Sequence, residues 1–336
     1  MLGWGIVGTS FISDTMAAAI KTSAGSTLAA VVGRDGGRVA DFAARHGVAT
    51  GYTSLEAMLA DPAVTAVYVG TPNHVHHEAV IAAARAGKAI LSEKSLTRTL
   101  AQADALAAAV REHGVLFVEG LMYLAHPLYR RLGEILADGR LGRIRAINGF
   151  YAADIWDVVN PQGGGTLYNL GCYPVSLLQF VLQAAFGAGA FTDRVSSGAG
   201  VASPKDGNIT DAALTVKFGC GVLATLQSSD SVGMAHDFAI VGEKGVLRFR
   251  TNPWLPKAGR NELEWSAYGA AREVIVVEDD HDAFHHQVKL MERCVAEGRT
   301  EALRPSPRLA DSLEVMGLLA EWEGHCVGGV SEFRVG

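Results

Sequence analysis

The chain has 336 residues, of which 49% are hydrophobic and 19% are charged. This composition supplies a sizeable core and excludes a disordered chain, and the length favours two domains. A net charge of −6 without a Lys/Arg block argues against nucleic acid as a partner. No apolar run reaches the ~18 residues of a membrane span, and the start lacks a charged leader. We therefore expect a cytoplasmic protein with no membrane partner.

Four cysteines are scattered along the chain without metal-type spacing, which indicates reduced thiols. Cys172 has no visible base nearby in sequence, so we assign it no catalytic role. Two histidine groups have spacings that resemble metal ligands, at positions 74, 76 and 77 and at positions 281, 285 and 286. The first would diverge at a helix start, and the second favours a solvated or interface face. We predict no metal site.

Residues 1–120 alternate strand and helix signals. The predicted strands lie near residues 3–7, 28–32, 64–70, 89–92 and 115–118. The predicted helices lie near residues 11–21, 36–46, 54–60, 75–86 and 99–112. Apolar strands separated by helices predict an α/β domain with a doubly wound parallel sheet that is buried on both faces.

The first predicted strand runs into a turn that partly resembles the dinucleotide-binding fingerprint. Gly8 occupies the first glycine position, while Ser10 and Ser13 stand at the second and third. The Ser10 side chain would either crowd the pyrophosphate or donate its hydroxyl to it. A plain strand-to-helix turn is the alternative. The residues assigned to cofactor binding here are Gly8, Thr9, Ser10, Phe11 and Ile12.

The second predicted strand ends in Gly33-Arg34-Asp35, where a group that reads the cofactor ribose belongs. An acid there accepts from the 2′-hydroxyl of NAD, whereas an arginine accommodates the 2′-phosphate of NADP. Arg34 comes first and Gly33 leaves room beside it, so we predict a preference for NADP(H), with NAD(H) as the alternative. A solvated loop charge is the other interpretation of Arg34.

The strand predicted near 89–92 ends in an adjacent pair, Glu93-Lys94. In an open α/β sheet, ligands bind outside the carboxyl ends of the strands. This position delivers Lys94 to the place where a cofactor and a substrate meet. A surface lysine is the alternative interpretation.

After residue 120 the pattern changes to short strands and glycine turns, which predicts a second α/β domain over 121–336 with a large, mostly antiparallel open sheet. Its predicted strands lie near residues 143–152, 192–202, 209–218, 221–229, 237–241, 245–250 and 272–278. Its predicted helices lie near residues 127–138, 171–186, 281–298 and 306–324.

The order and spacing of these motifs resemble the glucose–fructose oxidoreductase/inositol dehydrogenase (Gfo/Idh/MocA) family over nearly the whole chain. The motifs are Gly5-Ile6-Val7-Gly8-Thr9, Gly33-Arg34-Asp35, Thr71-Pro72-Asn73, Glu93-Lys94, Glu119 through Pro127, and Gly163-Gly164-Gly165 with Tyr173. The Glu119 segment is similar to the branch of dihydrodiol dehydrogenase and NADP-dependent xylose dehydrogenases. Leu124 and Ala125 depart from that branch's pattern, so its substrate is not carried over.

The resemblance implies a Rossmann domain and hydride transfer between a nicotinamide cofactor and a carbohydrate or polyol. It also implies a homodimer or homotetramer formed through the open sheet. The residues that it places along the cofactor are Thr71, Pro72, Asn73 and His76, with Glu93 near the nicotinamide ribose. It places Lys94 at the reacting oxygen and Tyr173 at the acid/base position. A nearby ammonium would favour the phenolate and could donate to the developing alkoxide.

Three further residues are candidates for substrate binding. Tyr123 and Trp156 can stack on a sugar face, with core packing as an equal alternative. Asn169 stands where the family often has a carboxylate that binds substrate hydroxyls, four residues before Tyr173 and so on the same face of a helix.

Two departures from the family pattern leave alternatives open. Ser95 replaces a proline that follows a cis peptide, and without proline we expect a trans turn and a displaced Lys94. Together with Asn169, this leaves a non-catalytic nucleotide-binding regulator as an alternative function. A second alternative is a glycosidase on the same fold that uses bound nicotinamide for transient oxidation and elimination.

Overall fold

The computed structural model describes residues 1–327, and these form two compact units. One comprises Met1–His126 and His281–Leu313, and the other comprises Pro127–Asp280 and the described residues from Glu314 onward. This division differs from the predicted one at residue 120. The segment after Asp280 belongs to the first unit because its helix buries Val288 and Met291 in that unit's core. Residues 328–336 of the predicted second domain lie outside the described residues.

The first unit is built on a parallel sheet with the strand order β3-β2-β1-β4-β5-β6. Its strands are β1 (Leu2–Val7), β2 (Ser26–Val32), β3 (Thr50–Tyr52), β4 (Ala66–Val69), β5 (Ala89–Glu93) and β6 (Phe117–Gly120). Its helices include α1 (Phe11–Lys21), α2 (Gly36–His46), α3 (Leu55–Ala60), α4 (His76–Arg85) and α5 (Leu100–His113). The predicted doubly wound sheet is confirmed. The order reverses between β1 and β4, which is where such sheets bind nucleotides.

Local sequence signals set the ends of these elements. Ser10, Asp35 and Ser54 each cap a helix by accepting a hydrogen bond from a backbone N–H in its first turn. Thr99 and Gln102 form a capping box at the start of α5. All six residues of β1 are buried, as expected for a central strand that is covered on both faces.

The second unit is built on an eight-stranded sheet with the order β14-β13-β12-β11-β7-β10-β9-β8. Its strands are β7 (Ile144–Ala152), β8 (Arg194–Ala202), β9 (Ile209–Phe218), β10 (Leu223–Ser229), β11 (Ala235–Gly242), β12 (Gly245–Phe249), β13 (Gly259–Ala267) and β14 (Arg272–Asp279). Only the β7–β10 pair among these neighbours is parallel, so the predicted mostly antiparallel sheet is confirmed.

The remaining helices are α6 (Pro127–Ala137), α7 (Cys172–Phe186), α8 (Ala283–Ala296) and α9 (Leu309–Val327). Within the second unit, α9 packs on the sheet through Trp322, which is fully buried and donates its indole N–H to the carbonyl of Ala213 at 3.1 Å. None of the helices within residues 1–327 combines the length and hydropathy needed to cross a bilayer.

Candidate functional site

The turn after β1 has the backbone geometry that phosphate binding requires. Gly8 has a φ of 98°, and a Cβ added there would lie 3.2 Å from the carbonyl oxygen of Gly70. The Ser10 hydroxyl donates to that same carbonyl at 2.8 Å and accepts from the backbone N–H of Ser13. These contacts give Ser10 a role within the protein, beside the two roles toward a pyrophosphate that the sequence predicted. Its side chain points into the protein as a helix cap, because two backbone groups engage it there.

The charged residues that follow β2 make different contacts. The Asp35 carboxylate caps α2 by accepting from the Arg38 N–H at 3.0 Å. Arg34 is exposed, and the Arg38 guanidinium donates to the carbonyl of Thr9 at 3.4 Å. Arg38 was missed by the sequence reasoning, although it stands only four residues after Arg34. Its contact with Thr9 places the Arg38 guanidinium beside the turn that follows β1.

A dinucleotide fits the residues that surround this turn. The N-terminus of α1 offers backbone N–H groups to a pyrophosphate, and Phe11 beside it is 81% exposed. Thr71 follows β4, and its buried Oγ1 has no hydrogen-bond partner among the described residues. A ligand hydroxyl or phosphate oxygen would satisfy that hydroxyl. Pro72 is exposed, and Asn73 begins the short helical turn Asn73–Val75.

His76 was predicted to lie along the cofactor, and the structure shows what its ring contacts. The ring is fully buried, with Nε2 2.6 Å from the carbonyl oxygen of Thr71 and Nδ1 3.1 Å from that of Ser95. Burial lowers its pKa to about 4, so it is neutral at physiological pH. The ring connects the loops after β4 and β5. His76 therefore affects cofactor binding by holding those two loops in position.

The end of β5 holds the predicted Glu93-Lys94 pair. Glu93 is buried and accepts from the Tyr68 hydroxyl at 2.8 Å and from the Lys94 N–H at 3.2 Å. Burial raises the pKa of this carboxyl. The Lys94–Ser95 peptide is cis, so the expectation of a trans turn was wrong. Ser95 is buried, and the contacts of its carbonyl with His76 define the turn.

A second carboxyl adjoins this pair. Glu119 on β6 is opposite Ser92 in the β5–β6 register and is 2% exposed. Its Oε2 has no hydrogen-bond partner among the described residues. Burial is the main cause that raises the pKa of Glu119 to about 7, and the charge of Glu93 adds to it. In the sequence Glu119 is recognisable only as part of a family motif, which predicts no role for it.

This raised pKa makes the stability of the protein depend on pH. Because the folded state binds the Glu119 proton more tightly than the unfolded chain, stability falls as pH rises from the ordinary value of 4.5 to about 7. Glu119→Gln removes this loss. Above about pH 7 we expect the variant to exceed the wild type by roughly 1–3 kcal/mol, and the difference to vanish near pH 4.5. Chemical denaturation across pH measures it.

Glu112→Gln is the matched control, because Glu112 lies exposed on α5 in the same unit. It reports the effect of removing an exposed carboxyl from the same unit. If the free energy of unfolding of Glu119→Gln and that of the wild type change with pH in the same way, then Glu119 does not bind its proton more tightly in the folded protein, which contradicts the prediction.

In the second unit, Asn169 and Tyr173 lie on one continuous helical segment that changes type between them. Leu167–Gly171 forms a π-helix, and α7 continues from Cys172. A π-helix has a wider turn than an α-helix, and such insertions occur frequently at functional sites. The prediction that both residues share a face assumed an α-helical spacing, and that spacing does not hold through residue 171.

Tyr173 is 6% exposed and lies in an aromatic cluster. Its ring centroid is 5.4 Å from that of Tyr151 in a T-shaped contact and 6.2 Å from that of Trp254. Burial raises the pKa of Tyr151 to about 12, so this neighbour stays protonated. The cluster fixes the Tyr173 ring plane.

Asn169 contacts a carboxylate that the sequence analysis missed. Its Nδ2 donates to Oδ2 of Asp230 at 3.0 Å. Asp230 directly follows β10 and is fully buried, and its Oδ1 has no hydrogen-bond partner among the described residues. Burial is the main cause that raises the pKa of Asp230 to about 6. The one sequence signal was its position at the end of a strand.

The two aromatic candidates differ in accessibility. Trp156 is partly exposed and lines a cleft of about 140 Å³ together with Asn160, Lys205, Asp206 and Asn208. Tyr123, in the first unit, is fully buried in the turn Met122–Ala125 that packs on α8. Core packing is therefore the interpretation that the structure favours for Tyr123, whereas Trp156 remains accessible to a ligand.

Neither histidine group forms a metal centre. Within residues 1–327, no cluster of three or more His, Cys, Asp or Glu side chains has a geometry suited to a metal ion. His281 and His285 stack at 3.7 Å between ring centroids, and Nδ1 of His285 contacts the Thr22 hydroxyl at 2.6 Å. These contacts tie α8 to the end of α1.

The parallel sheet, the glycine turn and the helix N-terminus define the first unit as a dinucleotide-binding domain of an oxidoreductase. Residues 2–121 match the family described as "Oxidoreductase family, NAD-binding Rossmann fold" (GFO_IDH_MocA), and residues 129–248 match the GFO/IDH/MocA C-terminal domain. The chain belongs to the GFO/IDH/MocA family, as its motifs indicated, and is an enzyme of the oxidoreductase class.

Curated relatives and solved structures agree with this assignment. An uncharacterized oxidoreductase of Rhizobium meliloti is 32% identical over 264 residues, covering 76% of each chain. The 1,5-anhydro-D-fructose reductase of Ensifer adhaerens is 31% identical over 252 residues, covering 73% of this chain and 74% of the relative. KijD10, a 3-ketoreductase from Actinomadura kijaniata in complex with TDP-benzene and NADP, has a TM-score of 0.81 at 25% identity and covers 97% of this chain and 98% of its own.

A levoglucosan dehydrogenase in complex with NADH and levoglucosan has a TM-score of 0.80 at 19% identity, covering 97% of each chain. At this identity the likeness concerns the fold. The two solved structures contain different nicotinamide cofactors, so the fold accommodates both NADP and NADH.

Proposed function

We propose that this protein is an NADP(H)-preferring oxidoreductase that transfers a hydride between the nicotinamide and a hydroxyl or carbonyl group of a carbohydrate or polyol. The observation that carries the proposal is the position of Lys94 at the carboxyl end of β5, beside the strands that hold the nucleotide turn. The names of the relatives, a 1,5-anhydro-D-fructose reductase and a 3-ketoreductase, support this substrate class.

The nicotinamide would supply or accept the hydride. The residues proposed to hold the dinucleotide are Gly8 through Ile12, Gly33, Arg34, Thr71, Pro72, Asn73, Glu93 and Lys94, with His76 supporting the loops that carry them. Backbone N–H groups at the α1 N-terminus suit the pyrophosphate. The Thr71 hydroxyl, which has no partner among the described residues, suits a polar atom of the cofactor.

Lys94 and Tyr173 are proposed to act on the reacting oxygen. Oxidation of a hydroxyl releases a proton that a base must accept, and reduction needs an acid to return it. Tyr173 is proposed as that acid/base group, and the Lys94 ammonium as the donor that stabilises the developing alkoxide. Asn169 and Trp156 are proposed to bind the hydroxyls and a face of the sugar.

The cofactor preference is tested at Arg34. If the guanidinium contacts the 2′-phosphate, a charge-assisted hydrogen bond favours NADP(H) over NAD(H) by about tenfold or more. Arg34→Ala should weaken NADP(H) binding by that factor and leave NAD(H) binding almost unchanged. Fluorescence titration of both reduced cofactors measures the two affinities, and Arg111→Ala, exposed on α5, serves as the control. If the wild type binds NADP(H) and NAD(H) with equal affinity, Arg34 does not contact the 2′-phosphate, and Asp35 becomes the candidate that binds the ribose.

We also propose a homodimer or homotetramer formed through the open face of the eight-stranded sheet. Val195, Lys217 and Leu223 occupy one cross-strand row on β8, β9 and β10, and the two apolar residues are 74% and 54% exposed. Leu223→Asp should shift the mass in light scattering toward the monomer. Val158→Asp, at an 82% exposed residue outside the sheet, should not. A monomeric wild type at micromolar concentration would count decisively against this assembly.

The activity itself is tested with D-glucose, D-xylose, myo-inositol and 1,5-anhydro-D-fructose, each with NADP(H) and NAD(H). The proposal predicts that one sugar hydroxyl is oxidised for each NAD(P)⁺ reduced, or one sugar carbonyl is reduced for each NAD(P)H oxidised. Cleavage of a glycoside without net change in the nicotinamide would indicate the glycosidase alternative. Cofactor binding without turnover of any sugar or glycoside would favour a regulator.

A further inference from the structure

We infer that Asp230 is a positioning residue that orients the Asn169 side chain for substrate binding, so that the pair replaces the carboxylate that the family commonly has at position 169. The inference rests on the proposed function in one respect, namely that the substrate carries a hydroxyl for Asn169 to bind. The orientation of Asn169 itself depends only on contacts within the second unit.

The first step concerns the direction of the Asn169 amide. A carboxylate only accepts hydrogen bonds, so an amide beside it must present its NH₂ group. The structure has this arrangement, with Asn169 Nδ2 at 3.0 Å from Asp230 Oδ2. The carbonyl oxygen of Asn169 is thereby directed away from Asp230. An acceptor oxygen in that direction can take a hydrogen bond from a substrate hydroxyl, as one oxygen of an aspartate would.

The second step concerns the rigidity of Asp230. Its N–H donates to the carbonyl of Thr210 at 3.0 Å, and its own carbonyl accepts from the N–H groups of Ile155 and Trp156 at 3.1 and 3.0 Å. The side chain is fully buried. These bonds fix the backbone of Asp230 between β9 and the segment that carries Trp156, so the acceptor that it offers to the Asn169 amide has a defined position.

The third step concerns charge. The charge of Asp211 on β9 raises the pKa of Asp230, and the charge of Asp206 does so to a smaller extent. Although burial opposes it, hydrogen bonds from Ser229, Thr210 and Ser231 lower the pKa of Asp211, so this neighbour is ionised. Asp230 is ionised above about pH 6. Below that value it gains a proton and can donate, which removes the preference for one orientation of the Asn169 amide.

The test uses full-length variants and two independent measurements. The first follows the side-chain amide signals of Asn169 by NMR, identified as the pair that Asn169→Ala removes. In the wild type these signals should titrate near pH 6, and in Asp211→Asn, which removes a charge that raises the pKa of Asp230, they should titrate at a lower pH. In Asp230→Ala they should not titrate. Amide signals that titrate equally in Asp230→Ala would overturn the inference, whichever reaction the enzyme catalyses.

The second measurement is steady-state kinetics with the sugars named above. Asp230→Ala should raise KM by about tenfold, the value of one lost hydrogen bond, with kcat changed by less than about threefold. Asp230→Asn both accepts and donates, as protonated Asp230 does, so it should also lose the orientation preference and raise KM toward the Asp230→Ala value. Asp211→Asn should behave like the wild type.

A double mutant separates positioning from a general loss of structure. If Asp230 acts through Asn169, Asn169→Ala/Asp230→Ala should bind no more weakly than Asn169→Ala alone. Additive losses would overturn the inference. If none of the sugars is turned over, the failure belongs to the proposed function, and the NMR titration alone decides the role of Asp230.

Discussion

Lys94→Ala and Tyr173→Phe are each expected to lower kcat by about 10²–10⁴-fold, the span for loss of a general acid/base group. The proposal assigns both side chains to the same oxygen, so the double mutant should be little worse than either single mutant. Lys94→Ala should weaken cofactor binding far less than it lowers kcat, because the larger part of its proposed role is at the alkoxide.

Tyr168→Phe is the matched control for the tyrosine. Tyr168 is buried on the same helical segment, and its hydroxyl donates to Glu323 at 2.9 Å. Its loss should lower stability slightly and leave kcat unchanged. If Tyr173→Phe keeps more than about a tenth of the wild-type rate, the tyrosine acid/base mechanism fails. The proton acceptor would then be sought at Lys94 or at a water bound by Asn169.

Gly165→Ala is expected to cause a large loss of stability and of substrate binding. Gly165 has a φ of 72°, and an added Cβ would lie 2.3 Å from the carbonyl oxygen of Ile209 on β9. The clash is with backbone, so either the sheet or the segment leading to Asn169 must move. We expect a loss of at least about 3 kcal/mol, measured by chemical denaturation.

Gly139→Ala separates the two causes of that loss. Gly139 in the same unit has a φ of 79°, but an added Cβ there would have no neighbour within 4 Å. Only the conformational cost of about 1–2 kcal/mol applies. If both variants lose the same free energy of unfolding, the contact with Ile209 does not contribute to the destabilisation of Gly165→Ala.

Most of the first unit was predictable because its signals are local. Apolar runs, caps and glycine stops gave its main strands and helices, and the order of the motifs indicated the family. The three-residue strand β3 was missed because its sequence, Thr50-Gly51-Tyr52, has too little apolar content to stand out from a turn.

The strand β13 was missed for a different reason. Asn261, Leu263 and Trp265 are buried and alternate along the strand with Glu262 and Glu264. Only two of these three buried side chains are apolar, and the two glutamates are typical of a charged loop, so the pattern does not indicate a strand. Arg250 pairs with both glutamates, at 2.9 and 2.8 Å. Cross-strand charge pairing of this kind depends on a register that the sequence does not show.

The candidate site was predictable at its strand ends and not in its supporting groups. Glu93 and Lys94 follow from the position of β5, whereas the burial of Glu119 depends on its neighbours across the sheet. Asp230 lies 61 positions from Asn169 in sequence, so no local pattern connects them. The π-helical turn before α7 likewise arises from packing and not from the spacing of apolar residues.

The most direct test of the account is the joint measurement of nicotinamide and sugar in one reaction. Wild-type enzyme with NADP⁺ and D-glucose, D-xylose or myo-inositol should form NADPH and oxidised sugar in equal amounts, and with NADPH and 1,5-anhydro-D-fructose it should form NADP⁺ and reduced sugar in equal amounts. Lys94→Ala should form none of these products at a comparable rate. Release of a cleaved sugar with no net NADPH, or a Lys94→Ala variant as active as the wild type, would contradict it.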